Sequence, residues 1–297
     1  KTDSIRSVGH LGIVAGTVDS LQIGAIIDEF LPKNRHHHLT HGQIAKAMIL
    51  NGLGYVERRL YLYPEFFEEI AVDHLLGPGV HRKHLTDDTL GRTLDAIAAY
   101  GPTELFNQIV ARCIHEYGDE IQRIHVDTTS FSVYGDYDEE DRTEEIHIVQ
   151  GHPKDGRWDL NRFVFGMATN QYGIPLFVKT FSGNESDKKT LLSIIQQLQD
   201  NLEFTKKVYH VADAAFFTEE NLKQVGTHMF WISRVPATWN ESKQLLDLDI
   251  PFSSCLDTRY SWSSTEVTVG GIPQKWVVYQ SAEMQKRVEK TFEKNLE

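Results

Sequence analysis

The chain has 297 residues, 40% hydrophobic and 24% charged, a mix that excludes long disordered stretches and gives room for two domains and part of a third. Lys and Arg number 30 against 42 Asp and Glu, a net charge of −12, which argues against non-specific coating of nucleic acid but leaves local basic contacts open. No apolar run reaches the ~18 residues that a membrane span needs, and the first ten residues lack the apolar core of a signal peptide. Cys113 and Cys255 fit no metal spacing, and a reduced cytoplasm is the expected setting. Residue 1 is Lys, so the chain is expected to begin inside a longer one.

Residues 1–118 read as helical. Thr40-His41-Gly42-Gln43 has the form of a capping box, and Ile44, Ala47, Met48 and Leu50 follow on the inner face of a helix that Gly52 and Gly54 stop. A second helix starts near Asp87 with Leu90, Leu94 and Ile97 on one face. Gly101-Pro102 opens a third, which carries Leu105, Ile109, Val110 and Ile114 and ends at Gly118. A helix-turn-helix is expected between Thr40 and Glu69, with Arg58 and Arg59 at a nucleic-acid backbone, against the alternative of a dimerisation or packing domain. Residues 1–118 hold 11 Lys and Arg against 14 Asp and Glu, a net of −3, so no basic face is claimed. His36, His37 and His38 read as a solvated loop, because no Cys or further spaced His completes a metal site.

The pattern changes near Asp119. Strands are predicted at 123–134, 162–169, 176–181, 207–212 and 228–235, with helices at 189–200 and 218–225 and an acidic loop at 136–145. The order strand, strand, strand, helix, strand, helix, strand is that of a ribonuclease-H-like fold: a meander whose later strands join by helical crossovers. Beyond Pro236, strands at 267–269 and 275–279 read as a β-rich insert, and a charged helix runs from Ala282 to the end. The fold class is therefore α/β: a ribonuclease-H-like mixed sheet core (119–235), an all-α N-terminal domain (1–118) and a partial β-rich insertion (236–297), expected to be truncated.

Two carboxylates stand out. Asp127 lies in the middle of a β-branched and aromatic strand, where a buried charge is costly unless paired or bound to metal. Asp213 follows Val208-Tyr209-His210-Val211-Ala212, at the carboxyl end of a strand where sites of open α/β sheets collect. Either alone also reads as a strand-end or turn Asp held by backbone amides. In the expected order the first and fourth strands are neighbours, so the two acids face each other and suit Mg²⁺. His125 and His210 are expected in the core with hydrogen bonds, His125 on the opposite face from Asp127.

Five segments carry a resemblance: Leu39 to Gly54, Ile124-His-Val-Asp127-Thr-Thr-Ser-Phe, Gly151-His-Pro-Lys-Asp-Gly-Arg-Trp-Asp-Leu160, Gly183-Asn184-Glu-Ser-Asp187 and Val211-Ala-Asp213-Ala-Ala-Phe. In this order they resemble DDE transposases of bacterial insertion sequences, over nearly the whole chain. The resemblance implies metal-dependent DNA strand cleavage and strand transfer at element ends, with Asp127 and Asp213 as the first two catalytic, metal-binding acids. It implies two Mg²⁺ (or Mn²⁺) ions, transposon-end and target DNA as partners, and a homodimer in a DNA-paired complex. It implies a cytoplasmic protein, nucleoid-associated when bound. Pro153 stands where the related branch often has Ser, and Trp158 where it often has Pro. The third acid, a Glu within a Tyr–Arg–Glu signature, is missing: no Tyr follows Tyr279, and Arg287, Glu289 and Glu293 alternate with Lys286, Lys290 and Lys294 as a solvated face. A truncated or decayed transposase that only binds DNA or a partner is the alternative, and a nuclease of the same fold is a third reading. Lys154, Arg157 and Arg162 are candidates for DNA phosphates, and Asn184 and Asp187 for support of the site, against surface charge and turn or cap roles.

Overall fold

Capping chemistry sets where the N-terminal helices start. The computed structural model describes residues 6–33, 38–55, 58–118, 120–135, 137, 146–151, 156–202, 206–247, 250–254, 257 and 259–296. In it, α1 (Leu11–Ser20), α2 (Ile23–Phe30) and α3 (His41–Gly52) precede two short helices, α4 (Tyr63–Phe66) and α5 (Val72–Leu76). The longer α6 (Asp87–Tyr100) and α7 (Pro102–Tyr117) follow. The capping box is present: Thr40 Oγ1 accepts from Gln43 N at 3.1 Å, and Gln43 Oε1 accepts from Thr40 N at 3.0 Å. Gln43 Nε2 also donates to the Leu76 carbonyl, tying α3 to the end of α5. Thr40→Ala is expected to cost about 1 kcal/mol, read as a lower urea midpoint at unchanged slope. An unchanged midpoint would show that the box carries no stability.

Ile44, Ala47 and Leu50 are fully buried with Leu85, Leu90 and Phe67 in the main helical core. α3 and α2 meet at backbone contact, because a Cβ on Gly42 would overlap the Gly24 carbonyl oxygen. α6 turns Leu90 and Thr93 inward, with Thr93 Oγ1 3.0 Å from His41 Nδ1. Leu94, expected on that face, is one step further round the helix and exposed. The expected helix-turn-helix does not form among the described residues. After α3 come one 3₁₀ turn (Leu60–Leu62) and the four-residue α4, too short to serve as a recognition helix.

Two compact units emerge: Lys1–Glu120 with Ile174–Lys179, and Ile121–Gly173 with Thr180–Glu297. After α7 the chain forms β1 (Arg123–Val133), β2 (Asn161–Asn170) and β3 (Pro175–Ser182). Then come α8 (Asp187–Asn201), β4 (Tyr209–Ala212), α9 (Glu219–Val225) and β5 (Phe230–Ser233). The five strands form a mixed sheet in the order β3-β2-β1-β4-β5, the order expected for a ribonuclease-H-like core. β1 is antiparallel to β2 and parallel to β4, and β4 is parallel to β5.

Along β1, Ile124, Val126 and Thr128 are buried while His125, Asp127 and Thr129 are exposed, the period of two that a sheet with one covered face requires. α8 covers that face with Leu191, Ile194, Ile195 and Leu198. At Gly166 of β2 a Cβ would run into Ile194, so the glycine lets the helix sit close.

Beyond β5 come α10 (Asn240–Leu246) and a three-stranded antiparallel sheet of β6 (Ser253–Ser254), β7 (Tyr260–Val269) and β8 (Ile272–Ser281), followed by α11 (Ala282–Leu296). β7 and β8 are longer than the predicted strands, and α10 and β6 were not predicted. Their solvent faces carry Ser, Thr, Gln and Lys, so only the short apolar stretches registered in the sequence. Among the described residues, no single helix is long and apolar enough to cross a membrane.

Candidate catalytic site

The parallel register of β1 and β4 runs Arg123↔Tyr209 to Val126↔Ala212, so the next residues along the two strands are Asp127 and Asp213. His125 and Val211 are a registered pair on one side of the sheet, and two residues on, the same side carries Asp127 and Asp213. Both acids are exposed. Asp213 keeps extended backbone (φ −71°, ψ −177°) before the 3₁₀ turn Ala214–Phe216.

Each acid is held by its own surroundings. Asp127 Oδ1 accepts from Thr128 N at 2.7 Å. Thr128 turns its side chain to the covered face, where its Oγ1 donates to Asp187 Oδ1 at 2.9 Å. Asp187 is the first residue of α8, after the cap residue Ser186, so the helix start is tied to the strand position next to Asp127. Asp213 caps the 3₁₀ turn by accepting from Ala215 N at 2.9 Å, and its carbonyl accepts from Ser233 Oγ at 2.7 Å. The turn role weighed for Asp213 is thus present, and it fixes the carboxylate rather than hiding it.

The turn candidates fare differently. Arg162 is fully buried, its Nη2 donating to the carbonyls of Arg157 at 2.6 Å and Leu160 at 3.3 Å. The expected surface contact is corrected: this guanidinium organises the 157–160 turn from inside, because the alternation of β2 turns residue 162 to the covered side. Arg157 is exposed but engaged, with Nε 2.8 Å and Nη2 2.7 Å from the two oxygens of Asp159 and Nη1 3.3 Å from Tyr134 Oη. The Arg157 fork holds the Asp159 carboxyl down at about 2, helped by a backbone hydrogen bond, and the same contacts raise Arg157 above its ordinary value. Lys154 lies outside the described residues. Asn184 is exposed beside Gly183.

Two of the sequence segments meet in space. Gly183 N donates to the His147 carbonyl at 2.9 Å, and Val149 exchanges two backbone hydrogen bonds with Arg162. A Cβ on Gly151 would overlap the Gly183 carbonyl oxygen, and one on Gly183 would overlap the carbonyls of Arg162 and Val149. Both glycines are needed for close backbone approach. Gly183→Ala is expected to destabilise by about 3 kcal/mol, because the obstacle is backbone and cannot rotate away. Thermal unfolding measures it, and an unshifted midpoint would rule out the crossing.

His210 is buried, its Nδ1 3.3 Å from the Phe230 carbonyl, and burial lowers its pKa more than that hydrogen bond restores it. This matches the expected core role. His125 does not: it is exposed on the Asp127 side of β1, because residues two apart on a strand share a face.

Sequence reasoning missed a groove of about 1000 Å³ beside Asp213, lined by Val211, Phe230, Ile232, Arg234, Trp276 and Tyr279. Its lining comes from segments that read only as strands at 207–212 and 228–235 and as the β-rich insert at 275–279. Arg234 is exposed next to Ser233 and has no ion-pair partner among the described residues.

The donor chemistry fits a hard divalent cation: two exposed carboxylates at adjacent strand positions supply oxygen ligands and leave room for water or phosphate. Among the described residues, no group of three or more acids, histidines or cysteines converges. On α11, Glu283 pairs with Arg287 at 3.1 Å and Glu289 accepts from Gln285 at 3.2 Å, the solvated face expected there.

Residues 120–290 match the family model described as a transposase DDE domain, and residues 3–111 match a domain of unknown function (DUF4277). No curated protein and no solved structure gives a match.

Proposed function

The chain belongs to the transposase DDE domain family, and on that premise we propose that it cleaves DNA at the ends of an insertion sequence and joins the freed 3′ hydroxyls to a target. The observation that carries this reading is the adjacent placement of Asp127, in the middle of β1 just past its last pairing with β4, and Asp213, just past the carboxyl end of β4. They are the catalytic pair and would hold Mg²⁺ or Mn²⁺, with two ions expected once DNA phosphate and a further acid complete the ligand set. Ions so held activate the attacking oxygen and stabilise the leaving one in an in-line displacement.

The chain's own residues then have separate tasks. Asp127 and Asp213 are held in position by the Thr128, Ala215 and Ser233 contacts. Asp187 supports the strand through Thr128, and Asn184 sits at the turn before it. Arg234 is exposed beside Ser233, whose hydroxyl donates to the Asp213 carbonyl, and suits a backbone phosphate. Arg157 takes part only if phosphate displaces Asp159. Residues 1–118 form the domain that meets the element ends, 119–235 the ribonuclease-H-like core and 236–297 the insertion. A homodimer pairs two ends, working on the nucleoid in the cytoplasm.

The test is strand cleavage on a duplex carrying the sequences that flank the element, with Mg²⁺ or with EDTA. Metal-dependent nicks at the element boundary support the reading. Binding without cleavage in either condition supports the second reading, a DNA-binding module, which the engagement of Glu283 and Glu289 on their own helix favours.

A further inference from the structure

The N-terminal unit encloses a cavity of about 470 Å³ that is unusual in its charge. Its walls include His38, Lys83, His84, Thr86, Thr89 and Arg92, and among the described residues no carboxylate lines it. This gathers Lys, Arg and His side chains in a region whose net charge is −3. The His38 and His84 rings stack at 5.4 Å with planes 14° apart, and the His81 ring lies 5.4 Å from that of His84. Lys83 is exposed and has no ion-pair partner among the described residues. Arg92 is held by Asp88 at 2.7 Å, and Arg82 by Glu68 at 2.9 Å, so both are positioned without being buried.

His84 has a defined donor. Its Nδ1 lies 3.2 Å from the backbone N–H of His81 and accepts from it, so the neutral ring carries its proton on Nε2. The Thr86 and Thr89 hydroxyls sit 2.9 Å apart at the start of the 14-residue α6, adding donors and the positive end of a helix. Burial, then the charges of His38, His81 and Lys83, lower the pKa of His84. An anion in this cavity would offset the repulsion that His84 meets from these neighbours.

We propose that this cavity is a phosphate-binding site, and that its occupant is a backbone phosphate of duplex DNA. The identity of the occupant rests on the DNA-acting reading above; the phosphate chemistry does not. A tetrahedral anion matches a pocket of Lys, His, Arg and hydroxyl donors, and DNA supplies it in a protein whose partner is DNA. A contact to a phosphate carries no base information, so it sets position rather than sequence.

The experiment uses the full chain in EDTA, with a labelled duplex followed by fluorescence anisotropy across a salt series. Lys83→Gln is expected to weaken duplex binding about tenfold and to lower the salt slope by about 1. Lys83→Arg restores both. Lys83 is exposed, so the fold is not at risk. In parallel, inorganic phosphate is titrated while the His84 ring resonance is followed, and its pKa is expected to rise as phosphate binds. If Lys83→Gln binds duplex as tightly as wild type with the same salt slope, the DNA assignment is overturned. If the His84 resonance also ignores phosphate, the site itself is overturned. If wild type binds no duplex while phosphate still raises the His84 pKa, the phosphate site stands and the DNA-acting reading has failed.

Discussion

Asp127→Asn is expected to reduce metal-dependent DNA cleavage by at least about 10³-fold, roughly 4 kcal/mol of transition-state stabilisation, with little change in stability. The reason is charge. The amide keeps an oxygen that can still accept from Thr128 N, so the strand loses no hydrogen bond. It cannot supply the negative charge that a divalent cation needs beside the phosphate. Because Asp127 is exposed, the substitution should move the unfolding free energy by no more than about 0.5 kcal/mol. Asp213→Asn should behave alike, since Asn also caps a turn well. The double variant should be hardly worse than either single one, as expected of groups acting as a unit. Steady-state cleavage on the element-end duplex, with circular dichroism as the fold control, reads all three. A variant that cuts at wild-type rate would remove Asp127 from the chemistry.

Phe217→Ala is expected to cost about 3–5 kcal/mol. Phe217 is 2% exposed and sits among three indoles, at 6.0 Å from Trp231, 5.0 Å from Trp239 and 6.0 Å from Trp276. It belongs to a core shared by α9, β5, β7 and β8 with Leu222 and Val269. No smaller side chain fills a space bounded by rigid rings, so a cavity remains. Phe217 also ends the turn that Asp213 begins, so its loss is expected to loosen the second acid and lower cleavage together with stability. Denaturant unfolding with tryptophan fluorescence follows it. A loss below about 1 kcal/mol would mean that these rings do not form one core.

What the sequence made legible follows a physical line. The Asp127 strand could be read because its buried and exposed residues alternate, and Asp213 because an apolar strand ends where it stands. The Thr40 box and the Gly118 stop are local chemistry and were equally plain. Facing decisions failed where a neighbour decides them. Arg162 is charged and beside a turn, yet the pleat of β2 carries it inside. Leu94 repeats with Leu90 in the helical pattern, yet the space beneath α6 is taken by Thr93 and His41. His38 belonged to a run that reads as solvated, and only tertiary packing brings it onto His84. The meeting of Gly151 with Gly183 likewise joins segments that no local rule connects.

The most direct test of the catalytic account is a crystal structure of the protein soaked with Mn²⁺. The account predicts one ion bridging Asp127 and Asp213, each placing a carboxylate oxygen about 2 Å from it. Carboxylates on opposite sides of the sheet, or too far apart to share an ion, would contradict it.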